Sequence, residues 1–446
     1  MQRKVTSARN LSGVICVPGD KSISHRAVMI GALAEGTTEI TGFLFSEDCL
    51  QTWRCMRQLG VSMKRNCAGS RNDGCREQDK LIIRGRGLWG LHEPAERLDA
   101  GNSGTTMRLL TGILAGQTFT SFLTGDASLR MRPMERVVAP LQQMGAKVMG
   151  AQTTDHQEGT FAPLTIQGGN LQPISYRLSV ASAQVKSALL LAGLYTPGWT
   201  EVIEPVVTRN HTELMLEAFG AQLKREGQAV RVKGQSPLKA QKVSVPGDLS
   251  SAAFLLVAGL IIPNSRIVIK NVGLNPTRSG IIDILQAMGA KLRITEQEEI
   301  SGELRGTIEV ESSSLQGISL GGEIIPRLID ELPILAVAAL FAHGVTEIRD
   351  AQELKVKESD RLLAICEGLT RLGAKVEELA DGLRIYGGAL LQGTVCRSFQ
   401  DHRIAMALAI AALGAKGETV IEDAEVVEVS FPGFWSLLDE LRSGNL

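Results

Sequence analysis

An excess of charge of either sign is missing from this chain. Its 446 residues carry 47 lysines and arginines against 48 aspartates and glutamates, a net charge of −1. A protein that binds nucleic acid or a membrane surface through a broad basic field is thereby excluded. Any cationic site must be assembled locally. No C-x-x-C pair occurs among the seven cysteines at 16, 49, 55, 67, 75, 366 and 396. An odd, unclustered set predicts free thiols in a reducing compartment, with no disulfide framework or zinc site. The longest uncharged apolar run, 250–265, is interrupted by Pro263 and is too short to span a bilayer. Residues 1–20 lack the layout of a signal peptide. Aromatic residues are scarce at 4%, yet 44% of the chain is hydrophobic and 21% charged, a globular composition. A soluble, cytoplasmic protein is expected, and its length calls for two large domains.

What the sequence does contain is a repeat. A helix of small and apolar residues, a turn with glycine or threonine and a short strand recur at 22–42, 103–125, 182–205, 250–272, 330–350 and 401–423. The starts lie 68 to 81 residues apart. Self-similarity at such a period implies stacked supersecondary units. A second signature follows the first five copies: an amphipathic helix stopped by glycine and continued as a strand. It reads QLGVSMK at 58–64, QMGAKVMG at 143–150, AFGAQLKR at 218–225, AMGAKLRI at 287–294 and RLGAKVEEL at 371–379. Each unit is predicted to be β-α-β-α-β-β, and the sixth fades at the C-terminus.

The 47 glycines fit the many tight turns this demands. V-P-G-D occurs at 17–20 and at 245–248, bracketing three units. The pair is expected to form a hinge between two similar α/β domains, one of residues 1–19 plus 249–446 and one of 20–248. A turn common to every unit would be the plainer explanation, but the other four units lack the tetrapeptide.

Polar motifs collect where the repeat helices begin. Free N–H groups and the helix dipole favour anions there, although Ser, Asp and Asn at such positions are also ordinary caps. Cations beside the caps carry the functional reading. Lys21, Ser22 and Arg26 open the first helix in GDKSISHR. Val14 stands where a nucleotide phosphate loop needs its first glycine, so that motif is ruled out. Asn102 and Gly104 lie in the glycine-rich turn GNSGTTMR, followed by Arg130 and Arg132. Ser182, Ala183 and Gln184 begin SAQVK, and Arg209 begins RNHTE. Asp330, Lys357, Glu358 and Arg361 follow, and Arg403 sits in DHRIAMA. An exposed helix face would explain Lys357, Glu358 and Arg361 equally well. Lys21, Arg26, Arg132, Arg209, Lys357, Arg361 and Arg403, at equivalent places and with two carboxylates among them, suggest a polyanion site capable of acid–base chemistry. No metal-ligand motif accompanies them, and no cofactor is expected.

These motifs, in this order along nearly the whole chain, resemble the EPSP synthase family. The resemblance implies two domains of three β-α-β-α-β-β units each. It also implies transfer of the enolpyruvyl group of phosphoenolpyruvate to the 5-hydroxyl of shikimate 3-phosphate, releasing phosphate. Lys21, Ser22, Arg26, Ser182, Ala183, Gln184, Arg209, Asp330 and Lys357 would then meet shikimate 3-phosphate. Phosphoenolpyruvate would meet Lys21, Asn102, Gly104, Arg132, Gln184, Arg361 and Arg403. Asp330 would act as base and Glu358 as the acid that protonates the methylene, with Lys21 stabilising charge. No nucleic-acid or membrane partner follows from it, and a monomer is expected. Glyphosate occupies the phosphoenolpyruvate site in this family.

Val429 stands where some members have a lysine, and Ala183 replaces the second serine of an S-S-Q pattern. The related transferase acting on UDP-N-acetylglucosamine is the nearest rival, but its catalytic cysteine has no counterpart in 125–133.

Overall fold

The computed structural model describes residues 1–66, 79–152 and 159–444. All six predicted repeat helices form: Lys21–Leu33, Gly104–Ala115, Ala183–Gly193, Leu249–Ile261, Leu332–Leu340 and His402–Leu413. They are apolar nearly all round. Twelve residues of Leu249–Ile261 are buried, and every residue of Leu332–Leu340 is. A helix without a polar face must be enclosed by other elements. Small residues permit that enclosure. At Gly112 an added Cβ would lie 2.2 Å from the carbonyl oxygen of Ala188, on the neighbouring Ala183–Gly193 helix. An alanine there would have to push two backbones apart.

The five amphipathic helices also form, as Glu47–Gln58, Glu135–Gln143, His211–Ala218, Gly280–Ala287 and Arg361–Arg371. The first five units each build a four-stranded sheet of one pattern, and the sixth builds a three-stranded one. In the second, Leu98–Asp99 runs parallel to Thr120–Thr124, which pairs antiparallel with Thr160–Gln167, itself antiparallel to Lys147–Gln152. Short parallel neighbours joined through a helix are the expected β-α-β connection.

The first and fourth units borrow their leading strands. Lys242–Ser244 runs parallel to Thr37–Thr41, and Ser12–Cys16 runs parallel to Arg266–Gly273. The sixth unit, which fades in the sequence, is completed by the N-terminal strand Arg3–Thr6 against Glu418–Glu422. Its missing partner lay at the other end of the chain, beyond the reach of a local pattern.

Buried apolar side chains fall into two clusters. One uses Val5, Leu11, Ile15 and Val17 together with residues from Leu249 to Leu441; the other runs from Ile23 to Val245. The chain passes between them twice, at the two V-P-G-D segments. These segments bond to each other: Asp20 N–H donates to Pro246 O and Asp248 N–H to Pro18 O, each at 2.8 Å. Arg278, itself buried, is ion-paired with both Asp20 and Asp248.

One expectation fails. Cys16 is disulfide-bonded, so it is no free thiol. Cys49, Cys55, Cys366 and Cys396 are free, and Cys67 and Cys75 lie outside the described residues. Chain spacing gave no sign of this, because folding sets which thiols meet. Among the described residues no helix is long and apolar enough to cross a membrane.

Candidate active site

The caps and the cations occur together. Asp20, Ser103, Ser182 and Asp401 accept from Ile23, Thr106, Val185 and Arg403 N–H groups, the first two at 2.8 and 3.1 Å. Capping fixes each helix start; Lys21 follows Asp20 by one residue and Arg403 follows Asp401 by two, whereas Asn102 and Gln184 are the polar neighbours of the serine caps.

Asp330 and Glu358 are joined through one guanidinium. Arg361 donates from Nη1 to Asp330 Oδ1 at 3.3 Å, from Nη2 to Glu358 Oε2 at 2.6 Å and from Nε to Asp401 Oδ2 at 2.7 Å. Only 1% of Arg361 is exposed, so the solvated-face reading fails. Lys357 Nζ is 3.6 Å from Asp330 Oδ1, and Arg403 Nη1 donates to the Asp330 carbonyl at 2.7 Å.

Two cations arrive from the other apolar cluster. Arg209 Nη2 donates to Asp330 Oδ2 at 2.7 Å, and Arg132 Nη1 lies 3.8 Å from Glu358 Oε1. Arg132 also donates to Asn102 Oδ1 at 2.7 Å. A Cβ at Gly104 would lie 2.7 Å from Arg108 Nη1 and 3.5 Å from Arg132 Nη1. Gln184 accepts from Arg108 at 2.9 Å and donates to Thr105 at 3.0 Å. Lys21 pairs with Asp48 at 3.0 Å. Arg26 is held by Thr212, Ser187 and the Ser22 carbonyl. The alanine at 183 opens its helix without a polar side chain of its own.

The charges shape one another. Burial alone would favour neutral carboxyls, but Lys357, Arg209, Arg403 and Arg361 outweigh it and hold Asp330 well below the usual range. Glu358 is likewise held well below its ordinary value, burial opposing and Arg361 and Arg132 prevailing. Burial lowers the Lys21 ammonium, yet Asp48 and Glu358 leave it raised overall. His402 is pulled down to about 3, first by burial and then by Lys21. Both carboxylates are therefore ionised at neutral pH, Lys21 is charged and His402 is neutral.

Several participants escaped the sequence reading. Asp48 had no cation near it in the chain, so nothing pointed to it. Arg108 follows Gly104 by four residues on an apolar helix, and that i,i+4 spacing could have exposed it. Conversely, Lys186 of SAQVK is wholly buried between Glu204 and Glu213. His211 of RNHTE pairs with Glu303 at 2.6 Å. Arg130 is exposed.

Cations converging on two ionised carboxylates, at the helix starts of a repeated α/β fold, define the class: a transferase-type site for polyanionic substrates. Comparison narrows the class to a family. The family model for EPSP synthase (3-phosphoshikimate 1-carboxyvinyltransferase) matches residues 5–438. The 3-phosphoshikimate 1-carboxyvinyltransferase of Desulforamulus reducens is 54% identical over 441 residues, covering 99% of each chain. That of Bacillus anthracis is 53% identical over the same span. A solved EPSP synthase structure from Acinetobacter baumannii superposes with a TM-score of 0.85 at 42% identity, covering 99% of this chain and 98% of that one. The chain belongs to the EPSP synthase family.

Proposed function

We propose that the chain condenses phosphoenolpyruvate with the 5-hydroxyl of shikimate 3-phosphate, giving 5-enolpyruvylshikimate 3-phosphate and inorganic phosphate. The observation that carries this reading is the Asp330–Arg361–Glu358 bridge, flanked by cations from both apolar clusters. It supplies a base and an acid on opposite reactants and enough positive charge for two anions.

Shikimate 3-phosphate is held by Lys21, Ser22, Arg26, Ser182, Ala183, Gln184, Arg209, Asp330 and Lys357. Phosphoenolpyruvate is held by Lys21, Asn102, Gly104, Arg132, Gln184, Arg361 and Arg403. Asp330 takes the proton of the 5-hydroxyl as its oxygen bonds to C2 of phosphoenolpyruvate, and the methylene carbon gains a proton. A methyl proton then returns to the Glu358 carboxylate as the C2–O bond to phosphate breaks, which restores the double bond and releases phosphate. Glu358 is ionised in the empty site, so it can serve as acid only when ligand anions draw Arg132 and Arg361 away and let its pKa rise. Lys21, a charged ammonium throughout, stabilises the developing charge.

The two clusters and their paired crossings support a division into 1–19 plus 249–446 and 20–248, with the hinge at 17–20 and 245–248. The reading extends to a monomeric, cytoplasmic enzyme. That location rests on the biosynthetic reaction alone, since Cys16 removes the cysteine argument.

Acceptor choice is the test. Phosphate release from phosphoenolpyruvate should require shikimate 3-phosphate. Release with UDP-N-acetylglucosamine instead would overturn the reading.

A further inference from the structure

Lys186 is among the largest fully buried side chains of the protein, with 1% of its surface exposed. It lies two residues past Gln184 on the Ala183–Gly193 helix. Its ammonium is 2.9 Å from Glu204 Oε2 and 2.7 Å from Glu213 Oε1, and it donates to the Thr208 carbonyl at 3.3 Å. Glu204 uses its other oxygen on the same segment, accepting from the Thr208 N–H at 3.1 Å and from the Thr208 hydroxyl. The ammonium thus donates hydrogen bonds to Glu204 and the Thr208 carbonyl and is ion-paired with Glu213, whose carboxylate oxygens take no hydrogen bond. Those residues bracket Arg209.

With 1% of its surface exposed, Lys186 can act on a ligand in the cleft only through its neighbours. Burying three charged groups is costly unless their geometry is well matched. Here the hydrogen bonds to Glu204 and Thr208, with the Glu213 ion pair, tie down a segment whose next residue, Arg209, reaches across to Asp330 at 2.7 Å. The anchor extends to a second cation. Arg26 binds Thr212 at 2.6 Å and Ser187 at 2.8 Å, and Ser187 and Thr212 bond each other at 2.6 Å. Glu213, one residue on, carries the negative charge that most supports the Arg26 guanidinium against burial.

We propose that Lys186 is a positioning residue for shikimate 3-phosphate: with Glu204 and Glu213 it holds the 204–213 turn so that Arg209 is aimed into the cleft. This rests on the reading that Arg209 binds that substrate.

The test is a double-mutant cycle of Lys186→Met and Arg209→Ala, read as KM for each substrate. Lys186→Met should raise KM for shikimate 3-phosphate about ten-fold or more, as misplacement of a binding group does. KM for phosphoenolpyruvate should move by less than about two-fold. In the Arg209→Ala background the same substitution should add little. Equal losses for both substrates, or a full additional loss without Arg209, would overturn the proposal.

Should Lys186→Met fail to fold, Glu204→Gln decides. It keeps the shape and an acceptor for Thr208 but removes the charge, and it must show the same substrate split. Absence of the split overturns the proposal. If Arg209→Ala alone leaves shikimate 3-phosphate binding unchanged, the assignment of Arg209 fails first and this inference falls with it.

Discussion

Replacing Gly104 by alanine adds one methyl at the start of the Gly104–Ala115 helix. That methyl would sit 2.7 Å from Arg108 Nη1, whereas ordinary contact begins near 3.4 Å, so the guanidinium must retreat by about 0.7 Å. Arg108 is not free to swing, because Gln184 accepts from it at 2.9 Å. It is also short of stabilisation: burial, then Arg132, bring its pKa down to about 10. The second neighbour, Arg132 Nη1, stands at 3.5 Å and tolerates the methyl. The substitution therefore crowds one wall of the proposed phosphoenolpyruvate pocket and spares the other.

Overpacking of this kind costs about 1–3 kcal/mol, or roughly five- to over a hundred-fold in affinity. Glyphosate, longer than phosphoenolpyruvate, should bear more of that cost. Steady-state rates should show inhibition competitive with phosphoenolpyruvate in the natural protein. In Gly104→Ala, Ki should rise several-fold more than KM, on the order of the overpacking cost. Equal rises, or natural resistance to millimolar glyphosate, would refute control of access by residue 104.

Asp330→Asn and Glu358→Gln should fold and lose about 10²–10⁴-fold in kcat, the usual contribution of an acid–base group; near-normal turnover would remove that residue from the mechanism. Arg132→Ala should weaken phosphoenolpyruvate and Arg209→Ala shikimate 3-phosphate, each by roughly thirty-fold or more, with titration calorimetry reporting any reversal. The folded pKa values of Asp330 and Glu358 lie below their ordinary 3.8 and 4.5. Their contribution to stability is therefore present above those values and is lost as pH falls through the folded ones. Melting temperatures from pH 7 to 3 should decline less steeply in Asp330→Asn than in the natural protein, and parallel curves would contradict the assigned ionisation.

How much of this was visible in the sequence depends on distance along the chain. The six helices and their strands were legible because period, caps and glycine stops are local. Strand exchange was not: nothing near Arg3 or Lys242 announces a partner hundreds of residues away or in another unit. The same divide runs through the site. Lys21, Arg361 and Arg403 stood out as cations at helix starts, and Arg132 as an arginine in a short turn-bounded segment. Asp48 and Arg278 did not, since their partners meet them only in the folded chain. RNHTE shows the converse, for a motif can be recognised without its division of labour. Arg209 faces Asp330, while His211 meets Glu303 and Glu213 pairs with Lys186 in the interior.

The central claim is a group transfer in which one phosphate leaves for every enolpyruvyl group moved. Phosphorus NMR of the purified protein with phosphoenolpyruvate and shikimate 3-phosphate follows every phosphorus atom at once. The phosphoenolpyruvate signal should fall only when both substrates are present. Inorganic phosphate should rise in equal amount, and the phosphate of the shikimate ring should persist in a new ether product. Release of phosphate with pyruvate and unchanged shikimate 3-phosphate, or no reaction with both substrates, would contradict it.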